Sequence, residues 1–268
     1  MNDKYTVKEL EDKSKNVRLK ILNLIYRAQS GHFGGSLSCV EVLIALYYKI
    51  LNTPDDTMNR DRFILSKGHA APALYSVFAE LGIISNDELM SFRKFGSRLQ
   101  GHPDMNKLRP YVEISSGSLG QGLSVAVGLA LAAKIKEYNY KVYVMMGDSE
   151  IEEGQVWEAA NLAANMHLKN LIAIIDCNSN DINLEKEASK WKAFGWNCKI
   201  IDGHDYDDII NSINNLNQQK NQMPNMIMAK TIKGKGIDFM ENNPYFHNGK
   251  IDENMYKNAV NILKIIYK

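Results

Sequence analysis

The chain has 268 residues, of which 45% are apolar and 24% charged, values ordinary for a globular protein that buries a sizeable core. Its formal net charge of +1 gives no electrostatic reason to expect nucleic acid or an anionic membrane as a partner. Three cysteines, Cys39, Cys177 and Cys198, are too few and too scattered for a disulfide framework or a zinc site.

The sequence also lacks the patterns of targeting and membrane segments. Its first residues, MNDKYTVKELEDKSKN, are polar and contain acids, unlike a secretory or transit signal. No apolar run approaches the roughly 20 residues that span a bilayer. We therefore expect a cytoplasmic protein.

Helical and strand patterns alternate along the chain. Helical spacing of apolar residues runs from 5 to 29, SGHFGGS breaks that helix, and a second helix follows at 38–51. Apolar, β-rich runs that end in polar or glycine residues predict strands at 62–69, 141–148, 170–178, 197–202 and 225–232. Further helical patterns lie near 120–138, 155–167, 185–194 and 205–217, with an amphipathic closing helix at 251–268.

This alternation predicts an α/β fold, a mainly parallel sheet flanked by helices on both faces. The strand runs are apolar throughout, which is typical of central parallel strands. Because no repeat, linker or low-complexity tract interrupts the sequence, we expect residues 1–268 to form a single domain.

Two polar residues stand at the ends of neighbouring predicted strands. Asp148 follows KVYVMMG and Asn178 follows NLIAIIDC, with one predicted helix between them. Open α/β sheets bind ligands at the carboxyl ends of their strands, and oxygen donors of this kind suit Mg²⁺ beside a phosphate. Each residue alone is also typical of a simpler role, Asp148 as a helix cap and Asn178 as an Asx-turn residue.

A glycine-rich segment, GSLGQGLSVAVGLALAAK, opens with Gly117, Gly120 and Gly122 and continues as an apolar helix. Such a helix start exposes backbone N–H groups and lets an anionic ligand approach closely. Tight packing of a helix on the sheet is the alternative. Beside a metal–phosphate site, the segment favours ligand contact.

The histidines are concentrated in loops. Four of the six lie in loops that contain Gly or Pro: His32, His69, His102 and His247. Together they predict a polar cleft whose imidazoles transfer protons or bind hydroxyls and phosphates, although any one is also typical of a solvated loop. His167 and His204 are interpreted as structural.

Taken in order, these segments resemble the cofactor-binding half of transketolase over nearly the whole chain. SGHFGGSLS, RDRFILSKGHAAPALYS and GHPD are similar to that family's three histidine loops, and SSGSLGQGLSVAVGLALA is similar to its glycine segment. GDSEIEEGQVWEAANLAA followed by DCN is similar to the thiamin diphosphate motif, and AKTIKGKG with the His247 loop matches the final segment.

The resemblance implies specific roles for individual residues. It implies that Mg²⁺ is bound by Asp148, Asn178 and the backbone carbonyl of Asn180. It implies that thiamin diphosphate is contacted by His69, Gly117, Ser118, Leu119, Asp148, Ser149, Asn178 and His247. The catalytic set that it implies is His32, His69, His102, His247 and Glu153, the last being a family residue at the contact between two cofactor-binding halves.

Two positions depart from the family pattern. Ser149 stands where the motif has its second glycine, and Asn180 stands where the family has a bulky apolar residue. Ser149 still offers its backbone N–H to a phosphate, and Asn180 still offers its carbonyl, although it would pack less well against the thiazolium.

The length of the chain is a larger departure from the family pattern. Transketolases continue with a pyrimidine-binding domain, which supplies the Glu that activates the cofactor, and with a third domain. Neither fits in 268 residues, so the resemblance implies the N-terminal subunit of a split transketolase, inactive alone. With a C-terminal subunit, in a heterotetramer of two of each, it would move a two-carbon ketol group between sugar phosphates.

Two alternative functions are also compatible with this resemblance. One is a transketolase-like subunit for a different sugar, in a secondary or branched-sugar pathway, which Ser149 and Asn180 motivate. A degenerate, non-catalytic half is the other. A nucleotide-binding oxidoreductase is disfavoured because no GxGxxG follows a strand.

Overall fold

A computed structural model describes residues 5–53, 58–219 and 221–266. One parallel sheet runs through it, with its strands in the order β1-β2-β3-β5-β4. The strands are β1 (Arg62–Leu65), β2 (Val142–Gly147), β3 (Leu171–Cys177), β4 (Asn197–Asp202) and β5 (Asn225–Lys230). The predicted α/β class is confirmed, and each strand begins at or within one residue of its predicted start.

Helices cover both faces of the sheet. The longer ones are α1 (Val7–Ala28), α4 (Ala71–Glu80), α7 (Gln121–Lys136), α8 (Gly154–Asn165), α9 (Leu184–Ala193), α10 (Tyr206–Gln218) and α11 (Glu253–Ile266). The short ones are α2 (Gly34–Ser38), α3 (Val40–Ala45), α5 (Asn86–Leu89) and α6 (Met105–Leu108). A π-helical turn, Leu46–Ile50, continues α3, and single 3₁₀ turns occupy Gly68–Ala70, Asp148–Glu152 and Pro244–Phe246.

The segment SGHFGGS is a shorter break than the sequence predicts. Helix α1 ends where Gln29 adopts a left-handed conformation with φ of 49°, but α2 begins again at Gly34. A Cβ atom on Gly34 would lie 2.8 Å from Cγ of Lys233, and one on Gly35 would lie 3.0 Å from Nε2 of His69. The two glycines therefore serve close packing here, and the helix tolerates them because it is buried.

Two further comparisons with the predicted elements concern helices. Helix α4 was not predicted, because APALYSVFAE is apolar on all sides and shows no helical periodicity. The predicted closing helix is α11, and the last two residues of that prediction lie outside the described residues.

Strand side chains alternate between two buried layers. Tyr143 and Met145 of β2 point into the layer formed with α1, α3, α4 and α10, whereas Val144 and Met146 point toward α7, α8 and α9. Both faces of the central strands are thus buried, which is why their sequences are apolar without alternation. Within the described ranges, no helix is both long and apolar enough to cross a membrane.

Candidate active site

Asp148 reaches across the carboxyl edge of the sheet. Strands β2 and β3 run in register, with Gly147 opposite Asp176, so the residues after both strands meet there. One Asp148 oxygen accepts the N–H groups of Asn178 at 3.0 Å and Ser179 at 2.7 Å, and the other accepts the Ser149 N–H at 2.8 Å. The carboxylate therefore joins two strand ends 30 residues apart and is not a simple helix cap.

The side chain of Asn178 turns into the protein, not back onto its own turn. Its Nδ2 donates to Asp176 Oδ2 at 2.8 Å and to Ser38 Oγ at 3.2 Å. Both amide hydrogens are used in this way, and Oδ1 makes no hydrogen bond with any residue the structure describes. Asn178 and Asp148 line the same cleft, so two oxygen donors are available there to one cation.

A buried ion pair lies directly beneath this edge. Lys67 follows β1 and is 1% exposed, Asp176 in β3 is fully buried, and the ammonium group contacts the carboxylate. Burial opposes the charge on each group. The attraction between them outweighs it, so the pKa of Asp176 lies below its usual value and that of Lys67 rises to about 12. Both groups are therefore charged in the folded protein at neutral pH.

Glu150 ties the glycine-rich loop to the loop after β2. Its Oε1 accepts the Ser66 hydroxyl at 2.6 Å and the Gly120 N–H at 2.8 Å, and its Oε2 accepts the Gly147 N–H at 2.8 Å. Gly120 adopts φ of 78°, a conformation that favours glycine, just before α7 begins. Burial raises the pKa of Glu150, and the three donated hydrogen bonds offset part of that rise.

Three imidazoles form a cluster at the mouth of the cleft. The ring centroids of His32, His69 and His247 are 5.1 to 5.9 Å apart. Burial, reinforced by neighbouring cations, lowers the pKa of His32 to about 4 and that of His69 to about 3, and it lowers the pKa of His247 as well. The rings are therefore neutral at physiological pH, and His32 Nδ1 is buried without a hydrogen-bond partner among the described residues.

Lys233 enters the cleft on a loop that a second buried network holds in place. The Ile232 N–H donates to Nε2 of His204 at 2.9 Å, so the proton of this imidazole lies on Nδ1, which donates to Glu41 at 3.0 Å. Arg18 pairs with the same carboxylate and donates from Nε to the Lys235 carbonyl at 3.0 Å. His204 thus has the structural role expected of it.

The structure brings most predicted site residues together. One cleft is lined by His32, His69, Leu119, Asp148, Ser149, Asn178 and His247. His102 is exposed beside Gly117, where a Cβ atom would lie 3.3 Å from the imidazole, and neither residue lines the cleft. Ser118, Glu153 and Asn180 also lie outside its lining, and Asn180 lines a neighbouring cavity with Ser179 and Thr231. Their functional roles remain predictions.

The cleft also contains residues that sequence analysis missed, namely Gly35, Lys67 and Glu150. Asp176 lies beneath them. A sequence signal did exist for the charged residues, since Lys67 and Asp176 each stand at the end of an apolar strand run where burial is certain. Their pairing spans 109 residues, and no local pattern contains it.

The donor set fits a small hard cation and not a transition metal. Asp148 supplies a carboxylate and Asn178 an unpaired amide oxygen, which match Mg²⁺ with a phosphate completing its shell. Across the described part of the chain, no three His, Cys, Asp or Glu side chains cluster as a zinc site requires. The Lys233 side chain also lines the cleft, where its positive charge suits a diphosphate.

Fold and cleft together define an α/β domain built to hold a metal-bound diphosphate at its sheet edge. Residues 11–264 match the family model described as "Transketolase, thiamine diphosphate binding domain". The chain belongs to the transketolase family, whose members are transferases, and thiamin diphosphate is the cofactor of this domain.

Similar proteins of two different chain lengths support this family assignment. An apulose-4-phosphate transketolase subunit from Phocaeicola vulgatus is 40% identical over 266 residues, which cover 95% of this chain and 93% of that protein. A 6-deoxy-6-sulfo-D-fructose transketolase subunit from a Clostridium species is 39% identical, with 94% and 95% covered. The crystal structure of Campylobacter jejuni transketolase superposes with a TM-score of 0.87 at 31% identity, covering 97% of this chain but 43% of its own.

We predict that Glu150→Gln destabilises the protein. Both carboxylate oxygens accept a backbone N–H, so either orientation of an amide turns its NH₂ group toward a donor. An unsatisfied buried group costs about 1–3 kcal/mol, measured as the free energy of unfolding in urea. Glu152→Gln, at an exposed position two residues on, is the matched control and should stay within about 0.5 kcal/mol of wild type. Equal stability of the two variants would contradict this role.

Proposed function

We propose that the chain is the thiamin diphosphate-binding subunit of a two-chain transketolase. With Mg²⁺ and the cofactor it moves a two-carbon ketol group between sugar phosphates, and it is active only with a C-terminal subunit. Residues 1–268 act as one diphosphate-binding domain in this proposal. The observation that carries it is the meeting of Asp148 and Asn178 at the ends of β2 and β3, beside three neutral histidines.

In this proposal, residues of the chain hold the metal and position the cofactor. Asp148 and the Asn178 amide oxygen hold Mg²⁺ from the cleft, and Lys233 faces the diphosphate. The Asn180 carbonyl is the third protein ligand in this proposal. When bound, thiamin diphosphate supplies the nucleophilic carbon and the electron sink for cleavage beside a ketose carbonyl. The neutral imidazoles accept or donate protons at the sugar hydroxyls without carrying a standing charge. Asp148, with three backbone donors, keeps lone-pair capacity for the cation.

The substrate has two candidate classes. Ordinary pentose phosphates are one. The other is an unusual sugar, favoured because two relatives near 40% identity are named for apulose 4-phosphate and sulfofructose. A non-catalytic half is disfavoured because Asp148 and Asn178 keep a complete oxygen donor pair in the cleft.

The partner in this proposal is a C-terminal transketolase subunit. The Phocaeicola vulgatus relative is itself named as one subunit of a transketolase and matches over 93% of its length, whereas the Campylobacter jejuni chain is more than twice as long. A second polypeptide must then supply the pyrimidine-binding and third domains.

Pairing of two copies of this chain would complete a heterotetramer. The packed helices α7 and α8 carry exposed apolar residues, Val125, Ile135 and Leu162, and Met166 follows directly after α8. These four side chains are 38 to 69% exposed. A Cβ atom on Gly128 of α7 would meet nothing within 4 Å. Exposed apolar faces of this kind mark interaction sites, and a two-fold pair buries the same face on both copies.

We place the assembly in the cytoplasm. The three cysteines are free thiols, which suits a reducing compartment. Sugar phosphates, charged at neutral pH, are also confined to the inside of cells.

The cofactor site is tested with Asp148→Ala in complex with the partner subunit. We expect the affinity for thiamin diphosphate at fixed Mg²⁺, measured by calorimetry, to fall about 100-fold or more, equivalent to about 2.7 kcal/mol. The physical reason is the loss of the carboxylate that joins the metal to both strand ends. Asp181→Ala, which removes an exposed carboxylate from the same loop, should bind as wild type does. Retention of cofactor by Asp148→Ala would refute the proposal.

The substrate is decided by turnover assays of the wild-type complex. We expect ketol transfer to depend on both Mg²⁺ and thiamin diphosphate and to require the partner subunit. Xylulose 5-phosphate with ribose 5-phosphate tests the ordinary substrates, and apulose 4-phosphate and 6-deoxy-6-sulfofructose test the unusual ones. Absence of transfer from every donor, with the cofactor bound, would instead support a non-catalytic half.

The assembly is tested with Leu162→Glu, which places a charge on the outer face of α8. We expect the complex to fall from a heterotetramer to a heterodimer in light scattering, because a charge cannot be buried there without a partner. Ile266→Glu, at a more exposed apolar position on α11 in the opposite layer, is the control and should leave the tetramer intact. An unchanged mass for Leu162→Glu would exclude this face as the interface.

A further inference from the structure

The carboxylate of Asp176 is the acceptor for side chains from four parts of the chain. Oδ2 accepts the Ser38 hydroxyl at 2.6 Å, the Lys67 ammonium group and Nδ2 of Asn178 at 2.8 Å, and Oδ1 accepts the Thr231 hydroxyl. None of these groups is more than 8% exposed. Asp176 itself does not line the cleft, so its effect on the site must pass through a neighbour.

The neighbour is Asn178, whose amide has two unlike ends. A carboxylate only accepts hydrogen bonds, so the end of the amide that faces Asp176 must be the NH₂ group. The second amide hydrogen goes to Ser38 Oγ, which has already donated its own proton to Asp176. Both contacts impose the same orientation, and Oδ1 is left facing the cleft.

Lys67 makes this arrangement possible. A buried carboxylate without a partner would be strongly destabilised, and the Lys67 ammonium group lies in direct contact with it. The same ammonium group donates to the Gly35 carbonyl at 2.8 Å, which fixes Lys67 between α2 and β3. The orientation of Asn178 is therefore set by a buried charged pair, of which Asp176 lies outside the lining of the cleft.

We propose that Asp176, paired with Lys67, is a positioning residue that holds the Asn178 amide with Oδ1 toward the metal before the metal binds. The inference rests on the proposed function, in which Asn178 Oδ1 is a ligand of Mg²⁺. Because the amide is already oriented, binding of Mg²⁺ and the diphosphate then requires no rotation of the Asn178 side chain. Loss of Asp176 weakens metal-dependent binding while the bound cofactor still reacts.

The test uses the double variant Lys67→Met with Asp176→Asn, in complex with the partner subunit. Changing both residues keeps the volume and leaves no unpaired buried charge. A carboxamide at position 176 donates as well as accepts, so the Asn178 amide is free to reverse. We expect thiamin diphosphate affinity at fixed Mg²⁺, by calorimetry, to fall about 10- to 100-fold, the usual cost of losing a group that orients a metal ligand.

A split between affinity and turnover separates positioning from a general structural defect. At saturating Mg²⁺ and cofactor, kcat of the double variant should stay within about threefold of wild type. Thr231→Val is the matched control, because Thr231 bonds to Oδ1 of the same carboxylate, not to the oxygen that faces Asn178. It should retain wild-type affinity, and melting curves of the ligand-free complexes report folding.

Three results decide the matter. A folded double variant that binds as tightly as wild type overturns the inference and leaves the proposed function standing. A wild-type complex without Mg²⁺-dependent binding overturns both. If the double variant does not fold, a crystal structure of the wild-type complex with Mg²⁺ and thiamin diphosphate decides. A structure in which Asn178 Nδ2 contacts Asp176 and Asn178 Oδ1 contacts the metal supports the inference. A reversed or rotated amide refutes it.

Discussion

The buried contact between Lys67 and Asp176 is the interaction on which the cleft depends. It joins the end of β1 to the end of β3 across β2, and it lies below the residues that face the ligand. Removing either partner would leave a charge with no access to water, so the two residues must be kept or lost together. The other contacts at this edge, from Ser38, Asn178 and Thr231, are arranged around that charge.

Much of the fold and part of the site could be predicted because local patterns carry them. Apolar runs gave the five strands, and the polar residues that end those runs gave Asp148 and Asn178. What could not be predicted depends on contacts between distant segments. Lys67 and Asp176 are polar residues in buried positions, and only the folded chain shows that each stabilises the other. No sequence pattern singles out Glu150, yet it is the bridge between two loops.

The glycines also divide into positions that a local pattern explains and positions that only contacts between distant segments explain. Gly120 belongs to the predicted glycine-rich helix start, and its left-handed backbone explains why glycine stands there. Its contact with a ligand stays a prediction. Gly34 and Gly35 were expected to interrupt a helix, and they lie inside α2 because Lys233 and His69 pack against them. Helix propensity is weak compared with burial, so a residue chosen for its small size can occupy a helix that its propensity disfavours.

The outer face of α7 and α8 has a consequence for how such a protein must be produced. A chain on which this face is uncovered exposes Ile135 and Leu162 to water, and apolar surfaces of this kind adhere to one another. Whether a preparation of the chain stays in solution therefore depends on whether this face is covered.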